Sequence, residues 1–278
     1  MHQRLILSRP FLGLTLLLCA MLAAYVSVVK ALNELPRKYR LIEMEVAMPP
    51  ELQLVAAGGD RYLAANIGAF RSQTVGVHEL QKNTYKVLAK VQLATAVLNP
   101  MHEDNYYTAA AILPWNGEFQ AGQTILQLAT EARKRDYLPP FFRGFNWYYF
   151  EKNYAAAAAD LRIAASRAEG VNRNALTAMA ARWTERGYEP EQALQMVEAM
   201  AKQSAPPLKY FLEQRAARLR NLITLKQAVE TYRRRHGAAP TELAQLVQEK
   251  LLPAIPPDPL GGSYIIKNGN VELQVAAR

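Results

Sequence analysis

The sequence predicts a mainly α-helical protein: a solenoid of helical hairpins, one N-terminal transmembrane helix and a small C-terminal α+β module. Three observations carry this prediction. Phe11 to Val29 is a run without a charged residue. From Tyr62 to Gln203 the chain is rich in alanine, and turn signals divide it into segments of helical length. Near the end, Asn268-Gly269 stands between two apolar runs, a strong signal for a β-hairpin. The chain divides accordingly into a tail and span (1–31), a linker (32–61), a repeat domain (62–205) and a C-terminal module (206–278).

The residues from 11 to 29, at 1.5 Å each, just cover a hydrocarbon core of about 30 Å. Arg4 and Arg9 precede them; Lys30, Arg37, Lys38 and Arg40 follow. A cleaved signal peptide has a shorter apolar run, although Leu18-Cys19-Ala20 and Ala23-Ala24 offer small residues. A lipoprotein signal needs a small residue where Leu18 stands. A retained span through the lipid bilayer fits best. Basic residues do not favour the N-terminal side as the inner one. The expected placement, in the inner (cytoplasmic) membrane with the bulk periplasmic, follows the usual signal-anchor arrangement and the resemblances given below. The single cysteine, Cys19, lies inside the run, so it builds neither an intramolecular disulfide nor a Cys-based metal site.

About half the residues are apolar, enough for a sizeable core. Lys and Arg outnumber Asp and Glu by 33 to 24, and from Pro206 onward by 11 to 6. Such an excess suits anionic lipid headgroups or an acidic protein. Nucleic acid is not expected as a partner, because no recognised nucleic-acid motif accompanies the charge.

Residues 32–61 carry Pro36, Pro49, Pro50, Gly58 and Gly59 and read as a connector, with a short helix around Tyr39 to Val46. Beyond it, breakers stand at Asn99-Pro100, Pro114 to Gly117, Leu138-Pro139-Pro140, Glu169-Gly170 and Arg186-Gly187. A helix opening at Lys152-Asn153-Tyr154 carries Ala157, Leu161 and Ala164. Upstream, Phe119, Gly122, Leu126 and Ala129 stand in the same relation; downstream, Tyr188 leads to Ala193, Val197 and Met200. With Leu88 added, the equivalent positions 88, 122, 157 and 193 are 34, 35 and 36 residues apart. This pattern resembles the tetratricopeptide repeat family over about Tyr62 to Gln203. The resemblance implies three to four antiparallel helix pairs with small residues at the crossings. Phe145 in one unit and Ala110 in another stand where the family has a glycine. It also implies a stack with a concave face that binds an extended peptide or helix.

At the C-terminal end a helix runs from Arg218 through Leu219, Leu222, Leu225, Val229 and Tyr232 to His236-Gly237. A second, Thr241 to Lys250, follows. After a Pro-rich loop, Ser263 to Ile266 and Val271 to Val275 flank the Asn-Gly turn. Leu225, Ala228, Tyr232, Gly237, Pro240, Asp258-Pro259-Leu260-Gly261 and Tyr264 resemble the soluble ends of type II secretion pseudopilins and type IV pilins. The cleavable leader and Phe-x-x-x-Glu helix of those families are absent, so the likeness implies an adaptor module and not a polymerising subunit.

No phosphate loop, dinucleotide fingerprint, Gly-x-Ser-x-Gly or His-x-x-x-His is present, so neither a cofactor, a metal site nor an enzymatic activity is expected. His102-Glu103-Asp104 reads as charge complementing a helix start. Asp258 is a lone carboxylate, too little for calcium. Most of the aromatic cluster from Phe141 to Phe150 reads as core. If the repeat alignment holds, Tyr107, Phe142, Asn146, Tyr149, Arg182, Glu185 and Arg186 face the concave groove and contact a partner peptide. Arg233-Arg234-Arg235 reads as a solvated helix end, or as a contact to anionic lipid or an acidic partner. The expected function is a membrane-anchored protein-interaction scaffold of a bacterial secretion, pilus or surface-polysaccharide system. The alternatives are an accessory subunit of a larger membrane complex and an enzyme with dispersed catalytic groups.

Overall fold

In a computed structural model the described residues are 9–34, 44–74 and 82–274. The chain forms two compact units, 1–42 and 43–278. In the first, α1 (Arg9–Glu34) is a 26-residue helix. Its stretch Gly13–Glu34 is long and apolar enough to cross a membrane. The helix runs five residues beyond the uncharged stretch, because Lys30 to Glu34 contains no breaker.

The second unit is helical from Pro50 onward. Its helices are α2 (Pro50–Ala56), α3 (Arg61–Gln73), α4 (Lys82–Leu98), α5 (Glu103–Ile112), α6 (Phe119–Ala132), α7 (Leu138–Tyr149), α8 (Tyr154–Arg167), α9 (Gly170–Gly187), α10 (Pro190–Lys202), α11 (Pro206–His236) and α12 (Ala244–Gln248). A 3-10 turn, Pro114–Asn116, joins α5 to α6, and strands β1 (Ser263–Lys267) and β2 (Asn270–Gln274) close the chain.

The linker expected at 32–61 therefore contains α2 and the start of α3. Proline at the first helical position opens a helix rather than breaking it, since its missing N–H has no partner there in any case; Pro50 does this for α2. The short helix expected at Tyr39 to Val46 is not seen at Met44 to Val46, and residues 39–43 lie outside the described residues. Asp60 caps α3 by accepting from the amides of Tyr62 and Leu63.

From α5 to α11 successive helices pack on one another. The second helix of each pair begins at Phe119, Tyr154 and Pro190, 35 and 36 residues apart. Small residues set the approach. A Cβ on Gly122 would stand 3.3 Å from Pro114 Cγ. Ala157 and Ala193 are fully buried. Gly144 of α7, not Phe145, meets α8 at the crossing: its Cβ would lie 3.0 Å from the Ala157 carbonyl oxygen. Phe145, expected at that position, is its half-buried neighbour.

Two arginines 34 residues apart tie each pair to the one before it. Arg133 donates to the Met101 carbonyl and pairs with Glu103, both at the α4–α5 corner. Arg167 donates to the carbonyls of Arg133 and Asp136 at the α6–α7 corner.

The 31-residue α11 starts at Pro206-Pro207, twelve residues before Arg218. Its first half packs Leu212, Ala216 and Leu219 against Val197 and Ala201 of α10. Its second half supplies Leu225, Ala228 and Val229 to a separate small core with Leu246, Leu252, Tyr264 and Val271. Gly237, at φ 74°, ends it. The second helix of the module, expected from Thr241 to Lys250, shortens to α12. The strands pair antiparallel with Lys267 opposite Asn270. Asn268 and Gly269 both have positive φ, as a two-residue hairpin loop of this twist requires.

Candidate functional site

Arg182, Glu185 and Arg186 are three and four residues apart on α9, so they share one face. That face opens onto a cavity of about 780 Å³ between α9, the first half of α11 and the C-terminal module. Phe211, Arg215, Arg218, Leu219 and Leu222 come from α11; Leu260, Tyr264 and Leu273 come from the module. Tyr148 enters from α7 and stacks on Trp183, ring centroids 4.4 Å apart. The size is that of a pocket for a small ligand or a few side chains.

The electrostatics are unequal. Arg218 is buried and bidentate on Asp258, with Nε 2.8 Å from Oδ1 and Nη2 2.6 Å from Oδ2. Asp258 also accepts from the amides of Leu260 and Gly262. Burial pushes its carboxyl up, but Arg218 and the two amides together hold it below the ordinary range. Both oxygens are thereby spent on the protein's own donors. Tyr264 completes this corner by donating to the Arg218 carbonyl.

Arg215 Nη1 stands 2.6 Å from Glu185 Oε1. The contact is an ion pair by distance without hydrogen-bond alignment, so Glu185 Oε1 and Arg215 Nε remain without a directed partner. Burial pushes the Glu185 carboxyl up despite Arg215. Burial, with Arg218 and Arg182 nearby, pulls the Arg215 guanidinium down. Arg182 and Arg186 have no carboxylate partner among the described residues. Arg186 only donates to the Tyr148 hydroxyl at 3.3 Å and lies over the Tyr154 ring. The cavity thus presents cations above an apolar floor of Phe211, Leu219, Leu222, Leu260 and Leu273. Its lining acid, Glu185, and Asp258 behind Arg218 are already paired within the protein. Such a site takes an anion that carries an apolar group.

The other residues expected on one groove separate. Tyr107 is exposed and meets Phe142 edge-on at 5.4 Å, but Phe142 packs against the core formed by α4, α5 and α6. Tyr149 is exposed, stacked on Phe145 and 5.0 Å from Trp115, with Lys152 over its ring. Asn146 is not a free groove contact: it is buried, and its amide donates to Gln123 Oε1 at 3.1 Å. Arg233 is no free surface cation either. It donates to the Gly269 carbonyl at 2.9 Å and pairs with Glu230, fastening the helix end to the hairpin turn. Arg234 also faces Glu230, and Arg235 is exposed.

Sequence reasoning missed Tyr148, Trp183, Arg215 and Arg218. Arg215 and Arg218, three apart on α11, were the available signal, because they align with Leu212, Leu219 and Leu222 on the buried side of the helix. Among the described residues no three His, Cys, Asp or Glu side chains gather to hold a metal ion. Comparison of the chain with protein-family models, with curated protein sequences and with solved structures finds no match.

Proposed function

We propose that this protein is a membrane-anchored interaction scaffold. Its α9–α11 cavity holds a partner-protein segment presenting a carboxylate beside an aliphatic or aromatic side chain. The observation that carries the reading is the cavity wall. Among the described residues Arg182 and Arg186 lack carboxylate partners and Arg215 Nε lacks a directed hydrogen bond, all around an apolar floor. A partner carboxylate supplies the acceptor these donors lack, and its apolar neighbour covers Phe211 and Leu222. The reading assigns no bond-making step to the site. α1 anchors the scaffold in the bilayer, supported by its length and its apolar composition.

The tetratricopeptide-like reading of residues 62–205 is supported by the 35- and 36-residue spacing of helix starts and by the burial of Gly122, Ala157 and Ala193. The recurring Arg133 and Arg167 ties add to it. Placement in a bacterial secretion, pilus or surface-polysaccharide system, in the inner membrane with the bulk periplasmic, rests on the residue resemblance of the C-terminal module and on the usual signal-anchor arrangement.

The test is calorimetric titration of the detergent-solubilised full chain with a terminally blocked hexapeptide of alternating Glu and Leu. A Gln–Leu hexapeptide serves as the comparison. The acidic peptide binds more tightly, and Arg182→Ala and Arg186→Ala each weaken it about tenfold, or about 1.4 kcal/mol. Equal affinity for the two peptides, or no effect of either substitution, refutes the reading.

A further inference from the structure

Among the described residues outside α1, fifteen large apolar side chains are exposed, and eight of them lie between Val46 and Phe70. This concentration has a specific geometry on α3. At 100° per residue, Tyr62, Leu63, Asn66, Ile67 and Phe70 occupy one arc of about 140°. All five are exposed. Ala64, Ala65, Gly68, Ala69 and Ser72 occupy the opposite side and are buried. A Cβ on Gly68 would collide with Thr95 Oγ1 of α4. The helix therefore packs on the protein through its smallest residues and turns its largest apolar ones outward, the reverse of a helix in a globular core. The neighbouring α2 joins it through Leu54 and Ala57, and leaves Leu52 and Val55 exposed.

We infer that this outer face of α2 and α3 lies in the interfacial layer of the bilayer, a second membrane contact besides the span. The inference rests on the reading of α1 as a membrane anchor. Three observations select lipid as the occupant. Only residues 35–49 separate α1 from α2. At no more than about 3.6 Å per residue, the connection reaches at most about 58 Å. α3 carries no acidic residue between Arg61 and Gln73 to repel anionic headgroups; its Arg61 and Arg71 lie toward the protein, donating to the carbonyls of Leu98 and Val46. Tyr62 and Phe70 stand at the two ends of its outer stripe, and amphipathic aromatic rings such as that of tyrosine favour the membrane–water boundary. Thirteen residues are too few to span, so the helix lies in the plane of the membrane with its apolar side a few ångströms below the headgroups, a depth at which the amide of Asn66 still meets water.

The test is spin-label accessibility in the full chain, reconstituted in nanodiscs of phosphatidylethanolamine and phosphatidylglycerol. A label on the native Cys19 reports the anchor; Ile67→Cys, Phe70→Cys and, as an exposed control on α9, Val171→Cys are labelled in a Cys19→Ser background. Labels at 67 and 70 are expected to be several-fold less accessible to a water-soluble nickel complex than the label at 171, and more accessible to oxygen. Accessibility to nickel equal to that at 171 overturns the inference. So does shielding from both reagents, which marks burial against a second copy or another protein. A lipid signature at Cys19 with a water signature at 67 and 70 refutes the interfacial contact alone; a water signature at Cys19 refutes the anchor.

Discussion

Replacing Asp258 by alanine isolates what fastens the C-terminal module to α11. The substitution leaves the Arg218 guanidinium buried without its counter-charge, and the amides of Leu260 and Gly262 without their acceptor. Breaking a buried pair by removing one partner costs about 3–5 kcal/mol. The orphaned amides add to this, discounted because they are only part-buried. About 4 kcal/mol is a large fraction of what a small core such as that around Leu225, Leu246 and Tyr264 provides. The module should therefore open locally while the helical stack stays folded. Hydrogen exchange reads this directly. Amides of Tyr264 to Ile266 lose protection by about a thousandfold, the equivalent of 4 kcal/mol, and amides in α8 keep theirs. Arg218→Leu combined with Asp258→Leu recovers part of the loss, because no unpaired charge stays buried. A change below tenfold in the strand, or equal loss in α8, refutes the reasoning.

Acidification tests the same corner, since the Asp258 carboxyl is depressed when folded. Its stabilising contribution is present above the ordinary carboxylate value of about 4 and is lost as pH falls through the lower folded value; strand protection is expected to drop in that window, and to be insensitive to it in Asp258→Asn. Glu185 has the opposite sign. Burial raises its carboxyl above the ordinary Glu value, so on acidification it protonates before the peptide's own Glu residues and frees Arg215. The acidic hexapeptide then binds more tightly as pH falls toward that value, and Glu185→Gln abolishes the trend in calorimetry. Gly187→Ala forces a Cβ to 2.6 Å from the Tyr154 carbonyl carbon, so the start of α8 must shift; urea denaturation should show a loss of about 1–3 kcal/mol. Asn146→Leu orphans Gln123 Oε1 in a buried position and is expected to cost about 1–3 kcal/mol by the same measurement.

Much of the helical plan was legible because it is written in local terms. Ala157 and Ala193 are small where helices touch, Asn153 caps α8 by accepting from the amide of Ala156, and Asn268-Gly269 has one short-range meaning. Errors arose where a local signal had two readings. Pro49-Pro50 was read as a break, yet it opens a helix. Phe145 stands 35 residues after Ala110 and so falls on the repeat spacing, although Gly144 beside it makes the close approach. The cavity was half legible: spacing alone put Arg182, Glu185 and Arg186 on one face. Their counterparts Arg215 and Arg218 look like ordinary solvated helix charges until the fold brings Glu185 and Asp258 to them, over 30 and 40 residues of chain. Asn146 was misplaced for the same reason, because a polar side chain on a helix face does not announce its buried partner. The outward face of α3 lay in plain view as Tyr62, Leu63, Ile67 and Phe70, but these residues open the expected repeat domain (62–205), where large apolar side chains read as core.

The most direct measurement is site-specific photo-cross-linking in native membranes, with a benzoylphenylalanine in place of Phe211 on the cavity floor and, separately, of the exposed Val171. The account predicts one adduct of defined mass at position 211, displaced by an excess of the Glu–Leu hexapeptide and absent at position 171. No adduct at 211, or the same adducts at both positions undisturbed by the peptide, contradicts it.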